Sequence, residues 1–479
     1  MRTHVLPSLL LLSALSLTAA CSSGSDTASS KAPADTRSES SASPSPVRSV
    51  DPSKIKGLEI VSDSSEHSSC PFATSYPDVP GAEAMTAAMK KDVDNRLSVF
   101  HTGVCADETD SPAGELNISH QFLVASGDVL GVRLTTQDRN GVGSGLSSRT
   151  YWYDGKASAY RKPLALIAEG SRDAFVNALK DRLKGREGVD VASLGDTFSD
   201  PASRATVLDD MDFTGDGGLR VTFDRGEVGV PAAGTYVVTL DKGTIAPWLS
   251  PFGKRAQRQA VAPSGPLDLG ATNVPEVTVP THTASGDDDT DCKKVKCIAL
   301  TFDDGPAAPE TATLLTYLAQ YKARATFFVV GQNVAAHPEL VRAEAKAGHE
   351  VGNHSFTHPD LTKLTRDEIA SQLGRTSALI KAATGKAPTL FRPPYGAINV
   401  EVKAATTLSP VLWDVDTEDW KYRDAAKVAR TVVAEAERND VVLMHDIHPT
   451  SVAAVPQILR TLTADGYHFV TVSHLRATL

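Results

Sequence analysis

The chain has 479 residues, of which 41% are hydrophobic and 22% are charged. This length allows about two to four domains, and the apolar content excludes a wholly disordered protein. The 58 acidic residues exceed the 48 basic ones, which gives a formal charge of −10, and the sequence contains no long Lys/Arg run. We therefore expect no nucleic-acid partner.

The first residues have the pattern of an export signal. Arg2 precedes VLPSLLLLSALSLTAA, an apolar run that is too short for an ordinary membrane-spanning helix and ends in small residues. The TAAC sequence ending at Cys21, followed by a Ser/Pro/Ala-rich stretch, resembles the lipobox of bacterial lipoproteins, although Thr18 stands where that pattern prefers Leu. By this resemblance Cys21 is lipidated and anchors the chain outside the bacterial membrane; plain secretion and an uncleaved anchor are the alternatives. We expect a signal peptide over 1–21 and a disordered tether over 22–56.

Four cysteines remain after Cys21, and an even number in an exported protein favours disulfides. The simplest of three connectivities keeps each bridge within one domain, and it pairs Cys70 with Cys105 and Cys292 with Cys297. A thiolate metal site is the rival interpretation, but the sequence has no CxxC pair to support it.

Residues 57–253 have the pattern of one α+β domain, in which a helical segment with one apolar stripe precedes several strand-like runs. The stripe consists of Met85, Met89, Val93, Leu97 and Phe100. The order of elements and the closing DRGEVGVPAAGTYVVTL resemble a small extracytoplasmic domain found in some cell-wall deacetylases and in a membrane anti-sigma factor that senses lysozyme. Binding of the wall or of a protein is one hypothesis for this domain, and a structural spacer is the other. Residues 254–291, rich in Pro, Thr, Gly and Ala, are predicted to form a linker.

Residues 292–479 alternate short apolar runs with helical patterns, which predicts parallel strands with helices on the outside. Seven such runs, among them CIALTF, ATFFVV, VLWDVD and HFVTV, predict a distorted (β/α)7-type barrel rather than an eight-stranded one. In such folds the reacting groups gather where strands end, at the carboxyl edge of the sheet.

Five of these strands end in polar sequences that converge on that edge, beginning with the paired Asp303 and Asp304. His354 and His358 are four residues apart, a spacing that places both imidazoles on one side of a helical turn. With Asp304 they make a two-His, one-carboxylate set of the kind that binds a divalent cation. A cation offsets the repulsion between the two acids, and the second acid can then act as a base. The alternative for Asp-Asp-Gly-Pro alone is a simple turn.

The sequences TFDDGP, HSFTHP, RPPYG, DTEDW and LMH, in this order, resemble the five motifs of the polysaccharide deacetylases with a NodB-type domain, and the resemblance covers roughly residues 293–479. It implies that Asp303 is the catalytic base and that Asp304, His354 and His358 hold a divalent metal, most simply Zn²⁺, with Co²⁺ or another divalent ion as alternatives. It also implies that Arg392 pairs with Asp303 and orients it.

The same resemblance assigns the remaining motif residues. The backbone N–H of Tyr395 is implied to donate to the oxyanion, and His445 to be the general acid, paired with Asp419. Trp420 and Leu443 are implied to shape the pocket for the acetyl methyl group. These roles match what hydrolysis of an amide requires, namely a polarised carbonyl, an oxyanion donor and a proton for the leaving amine.

These observations predict a metal-dependent N-deacetylase, a hydrolase of linear amide C–N bonds that acts on an N-acetylated cell-surface glycan. For an extracytoplasmic lipoprotein the leading candidate substrate is the N-acetylglucosamine of peptidoglycan. The other candidates are N-acetylmuramic acid, chitin-like oligomers or an exopolysaccharide. A non-catalytic wall-binding or lysozyme-sensing lipoprotein is one alternative. A metal-dependent hydrolase of peptide amides is another.

Overall fold

The computed structural model describes residues 49–65, 70–105, 114–140, 143–284 and 288–479. The predicted signal peptide, the lipidation site Cys21 and most of the predicted tether lie outside the described residues. Among the helices of the described ranges, none is both long enough and apolar enough to cross a membrane.

The N-terminal region, residues 49–261, begins with a six-stranded sheet in chain order. Its neighbouring strands are antiparallel except β2 and β3, which are parallel because helix α1 crosses between them. The buried side of α1 carries the predicted stripe, with Leu97 only partly buried. The elements are β1 (Glu59–Ser64), β2 (Phe72–Asp78), α1 (Glu83–Gly103), β3 (Gly114–Ser126), β4 (Val129–Asn140), β5 (Gly143–Asp154) and β6 (Ala159–Arg161).

A three-stranded antiparallel sheet with five helices completes the N-terminal region. Its apolar core is shared with the first sheet through Trp152, which is fully buried against Phe213 and Phe252. The region is therefore α+β, as predicted. The elements are α2 (Arg172–Leu183), α3 (Val191–Thr197), α4 (Pro201–Val207), β7 (Asp210–Phe213), β8 (Leu219–Phe223), β9 (Tyr236–Leu240), α5 (Lys242–Ile245) and α6 (Pro251–Val261).

Two predicted boundaries of this region differ from the structure. The predicted linker begins at 254, but residues up to Val261 belong to α6, whose Phe252, Ala256 and Ala260 form a buried stripe among charged neighbours. The predicted tether extends to 56, but Ile55 is buried in the core beneath the first sheet. Short apolar stripes of this kind are easily missed in polar segments because only a packing partner makes their burial favourable.

Glu227, in the β8–β9 connection, is predicted to make the stability of this region depend on pH. Burial, together with the carboxylates of Asp209 and Asp224, raises the pKa of Glu227 to about 8. The folded state therefore keeps a proton that the unfolded state releases, so stability falls as pH rises from about 5 to about 8. Glu227→Gln should reduce this loss. Thermal unfolding at both ends of that range tests it, with exposed Glu187→Gln as control; an equal pH dependence in all three proteins would contradict the prediction.

The C-terminal region is built on a parallel sheet with strand order β14-β13-β12-β11-β10-β16-β15, and β17 pairs with the start of β10. Helices cover its outside, which confirms the α/β prediction. The strands are β10 (Lys296–Asp303), β11 (Thr326–Val329), β12 (Glu350–Asn353), β13 (Leu390–Phe391), β14 (Ser409–Pro410), β15 (Val415–Asp416), β16 (Val441–His445) and β17 (Tyr467–Phe469). The helices are α7 (Glu310–Gln320), α8 (Gly331–Ala336), α9 (Pro338–Lys346), α10 (Arg366–Thr384), α11 (Val400–Ala404), α12 (Asp419–Tyr422), α13 (Ala425–Glu435), α14 (Pro449–Ala464) and α15 (Val472–Thr478).

The predicted strand VLWDVD is not one strand. The chain leaves the sheet after β14 at one edge and rejoins it as β15 at the other edge, so the barrel is open between them. The carbonyl oxygens of Val411 and Leu412 accept hydrogen bonds from Arg392. The Arg392 side chain thus provides the hydrogen bonds that these carbonyl oxygens would otherwise accept from a neighbouring strand.

Both predicted cysteine pairs are joined in the structure. Cys70 and Cys105 connect the chain just before β2 to the chain just after α1, and Cys292 and Cys297 join the segment before β10 to the start of that strand. Each bridge lies within one region of the chain.

Candidate active site

The paired acids lie at the end of β10, the strand between β11 and β16. Asp303 is in register with His445 of β16, so the parallel pairing itself places these two residues side by side. Asp304 has φ 72°, in the left-handed region that Asp tolerates better than most residues. The chain turns at this point, and both carboxylates are buried.

Asp304, His354 and His358 come together as a buried cluster whose ligand atoms lie within 4.8 Å of one another. The Nε2 atoms of the two histidines are 3.1 Å apart. Oδ1 of Asp304 lies 3.6 Å from Nε2 of His354 and 3.4 Å from Nε2 of His358. The three predicted ligands therefore meet at one point.

The spacing of the two histidines predicted that they share a helical turn, and this prediction is wrong. They lie in a loop after β12, in which Ser355 and His358 have φ 64° and 56°. Two left-handed residues fold the loop back so that the imidazoles approach each other. Such backbone conformations are costly and are found most often at functional sites.

Neighbouring groups orient both imidazoles. Nδ1 of His354 lies 2.7 Å from the carbonyl oxygen of Arg392, so we assign the Nδ1–H tautomer and leave Nε2 for the cluster. Tyr395 packs edge-on against the His358 ring, with centroids 4.8 Å apart, and its hydroxyl donates to the His358 carbonyl at 3.2 Å. Tyr395 itself has φ 60°.

This donor set fits a divalent cation. Ligands bound tetrahedrally at about 2.0–2.1 Å lie roughly 3.3 Å from one another, and the three separations here, 3.1, 3.4 and 3.6 Å, are close to that value. A carboxylate and two imidazoles, with positions left for water and substrate, form the composition of a catalytic rather than a structural site.

Asp303 is held by Arg392, which is fully buried. Nη1 of Arg392 donates to Asp303 Oδ1 at 2.8 Å and to Thr301 Oγ1 at 2.7 Å. The guanidinium lies over the ring of Phe328, at 4.4 Å from its centroid. Because the pair is desolvated, Arg392 provides the positive charge and the fixed geometry that a buried carboxylate needs.

His445 and Asp419 form a second buried pair. Nδ1 of His445 is 2.7 Å from Asp419 Oδ1, and the His445 backbone N–H donates to Oδ2 at 2.8 Å. Burial alone would raise the pKa of Asp419, but the charge and hydrogen bonds of His445 lower it to about 2. Asp419 is thus ionised at ordinary pH, and it fixes the orientation of the imidazole.

The two predicted pocket residues differ in burial. Leu443 is fully buried on β16, two residues before His445 and therefore on the same face of the strand. Trp420 is partly exposed in the short helix α12, next to Asp419.

Gly305 of the Asp-Asp-Gly-Pro sequence is required by a close neighbour. A Cβ at this position would overlap the carboxylate of Asp446, which is fully buried and accepts a hydrogen bond from Thr311. Burial, with Asp304 nearby, raises the pKa of Asp446 to about 7. No role is predicted for Asp446 from the sequence.

Two residues of the N-terminal region that the sequence does not mark as site residues also reach this cluster. Ser64 contacts Asp304, and Asn117 contacts the loop of His358. Each is about 240 positions away from its partner in the sequence, and neither belongs to a motif that marks it.

The polysaccharide deacetylase family model matches residues 290–409. A peptidoglycan-N-acetylglucosamine deacetylase of Bacillus cereus is 41% identical over 192 residues, which cover 37% of this chain and 69% of that protein. This chain therefore belongs to the polysaccharide deacetylase family.

Two further relatives match a similar share of the chain. The peptidoglycan-N-acetylglucosamine deacetylase PgdA of Listeria monocytogenes is 46% identical over 183 residues, covering 38% of this chain and 39% of that protein. PdaC of Bacillus subtilis, a peptidoglycan-N-acetylmuramic acid deacetylase, is 46% identical over 180 residues, 38% of each. Its solved structure gives 44% identity and a TM-score of 0.38, covering 38% of this chain and 91% of that one. The chain thus spans about two fifths of the length of PgdA and of PdaC.

Proposed function

We propose that this protein is a metal-dependent N-deacetylase of a cell-surface glycan, with the N-acetylglucosamine of peptidoglycan as its substrate. The observation that carries the proposal is the meeting of the Asp304, His354 and His358 cluster with two oriented proton carriers, Asp303 and His445. Oδ2 of Asp303 lies 3.8 Å from Nε2 of His354, so the acid borders the cluster closely.

The residues divide the chemistry among them. Asp304, His354 and His358 would hold a divalent ion, and their two nitrogen ligands and one carboxylate favour Zn²⁺. Such an ion would polarise the amide carbonyl and lower the pKa of the attacking water toward ~7. Asp303, held by Arg392, accepts the proton of that water. His445, oriented by Asp419, returns a proton to the leaving sugar amine.

Three further residues complete the proposed site. The backbone N–H of Tyr395 donates to the oxyanion, a contact whose loss costs typically about 10²–10³ in rate. Trp420 and Leu443 border the acetyl methyl group. Trp420 follows Asp419 directly in α12, and Leu443 lies two residues before His445 on β16.

The relatives support peptidoglycan, and they act on different sugars of its glycan strands, N-acetylglucosamine in two cases and N-acetylmuramic acid in the third. A wall substrate places the protein outside the membrane. We propose that a lipid on Cys21 anchors it there, on the strength of the TAAC sequence and the polar stretch that follows. Mass spectrometry of the N-terminal peptide tests this, and an unmodified or absent Cys21 with a free chain in the medium would contradict it.

Acetate release from purified peptidoglycan and from chitin oligomers tests the activity. The metal-loaded chain should release acetate from peptidoglycan, metal-stripped protein should not, and mass spectrometry of the digested glycan should place the free amine on glucosamine. A free amine on muramic acid would correct the sugar. If the loaded protein sediments with peptidoglycan but releases no acetate from any glycan, the wall-binding alternative replaces the enzyme.

A further inference from the structure

The N-terminal region contacts a metal-site residue directly through Ser64, the last residue of β1. Its hydroxyl donates to Oδ2 of Asp304 at 2.5 Å, and both residues are only 3% exposed. The other oxygen of Asp304, Oδ1, faces the two imidazoles. Because the carboxylate is planar, a hydrogen bond that fixes Oδ2 also fixes the direction of Oδ1.

A second contact, from a different strand, holds another member of the cluster. The side-chain amide of Asn117, on β3, donates to the carbonyl oxygens of Thr357 at 2.8 Å and His358 at 3.1 Å. Next to it Glu115, also on β3, accepts from the backbone N–H of Asp360 at 2.7 Å. The left-handed loop that presents His358 is therefore held between the N-terminal sheet and Tyr395.

The two regions fit closely around these contacts. Gln332 of α8 donates to the carbonyl of His120 at 2.6 Å, and Asp63 pairs with Arg423 at 2.5 Å. The cavity left beside Asp304 and His358 measures about 20 Å³, enough for about one water molecule. These polar contacts across the seam, from the buried Gln332 to the partly exposed Asp63 and Arg423, indicate a fixed arrangement rather than a loose tether.

We infer that the N-terminal region completes the metal centre, with Ser64 orienting Asp304 and Asn117 fixing the His358 loop, so that metal affinity depends on this region. The inference rests on the metal assignment of the proposed function, but it does not depend on the glycan. Groups that orient ligands contribute strongly to metal sites, and their loss typically weakens metal affinity about 10- to 100-fold. Ser64 and Asn117 are positioning residues, since they act through Asp304 and His358.

The test measures metal affinity on the full chain, without any glycan. Metal-stripped wild type, Ser64→Ala and Asn117→Ala are titrated with Zn²⁺ against a competing chelator, and with Co²⁺ while its visible absorption is recorded. Both variants should bind about 10- to 100-fold more weakly, with an altered Co²⁺ spectrum for Ser64→Ala. Ser65→Ala is the matched control, because Ser65 is about as buried as Ser64 and its hydroxyl bonds to Cys70 and Phe72 of its own hairpin.

Unchanged affinity and spectrum in Ser64→Ala, with thermal unfolding like that of the wild type, would overturn the inference. So would unchanged affinity combined with faster acetate release, since the contact would then restrain access to the site instead of orienting a ligand. Weaker metal binding in Ser64→Ala, but no acetate release by the wild type, would retain the inference and refute the proposed activity. If Ser65→Ala loses as much affinity as Ser64→Ala, general damage to the hairpin explains both and the inference fails.

Discussion

Asp303→Asn is expected to lower acetate release by about 10²- to 10⁴-fold, the usual contribution of a positioned general base. The amide is nearly the same size and can still accept from Arg392 through its oxygen, but it cannot take a proton from water. Metal binding should persist, because the cluster itself uses Asp304, His354 and His358. Removing the acid leaves the buried Arg392 charge without its counter-ion, so a lower unfolding temperature is also expected.

The measurement compares release rates and bound metal in wild type, Asp303→Asn and Asp414→Asn. Asp414 is an exposed acid just before β15, and it accepts from the backbone N–H of Val441, the first residue of β16 and thus at the edge of the sheet opposite the site. Its amide variant should keep wild-type rates. Equal release by Asp303→Asn at full metal occupancy would refute the base assignment.

His358→Ala is expected to lower metal affinity by more than about 100-fold, since losing a ligand must cost at least as much as losing a group that merely orients one. Acetate release should fall with it at ordinary metal concentrations. The remaining carboxylate and imidazole offer two ligands, too few to hold a catalytic ion firmly. The Tyr395 ring, which packs against His358, loses its partner as well.

Metal content after dialysis and chelator competition measure this effect, and exposed His468→Ala serves as the control. A variant that holds one equivalent of metal as tightly as the wild type would exclude His358 as a ligand. Activity that survives in a truly metal-free variant would refute the metal-dependent mechanism altogether.

The arrangement around Asp303 shows why the site was largely predictable. Parallel strands end at the same edge of their sheet, so a sequence that shows which residues follow each strand also shows which residues meet. Asp303 and His445 are in register on adjacent strands, and His354 follows a strand two places from β10. The position of each residue depends on local patterning, which the sequence carries directly.

The two wrong predictions, a single VLWDVD strand and a helical turn for the histidines, concern backbone conformations that tertiary contacts determine. The stretch between β14 and β15 is apolar enough to be a strand. Instead, Arg392 donates hydrogen bonds to the carbonyl oxygens of Val411 and Leu412, and the chain crosses to the opposite edge of the sheet. The His354 and His358 spacing is that of a helix, but positive φ angles at Ser355 and His358 produce the approach. In both cases tertiary contacts override a local preference.

The α/β class of the C-terminal region, the strand ends, and the acid, imidazole and guanidinium groups that meet there can all be predicted from the order of residues along the chain. The contacts of Ser64 and Asn117 with this cluster, made from the N-terminal sheet, appear only in the folded molecule. The reason is that hydrophobic periodicity records how each segment packs on its own core. Contacts between two docked surfaces depend on their complementary shapes, and no spacing along the chain encodes them.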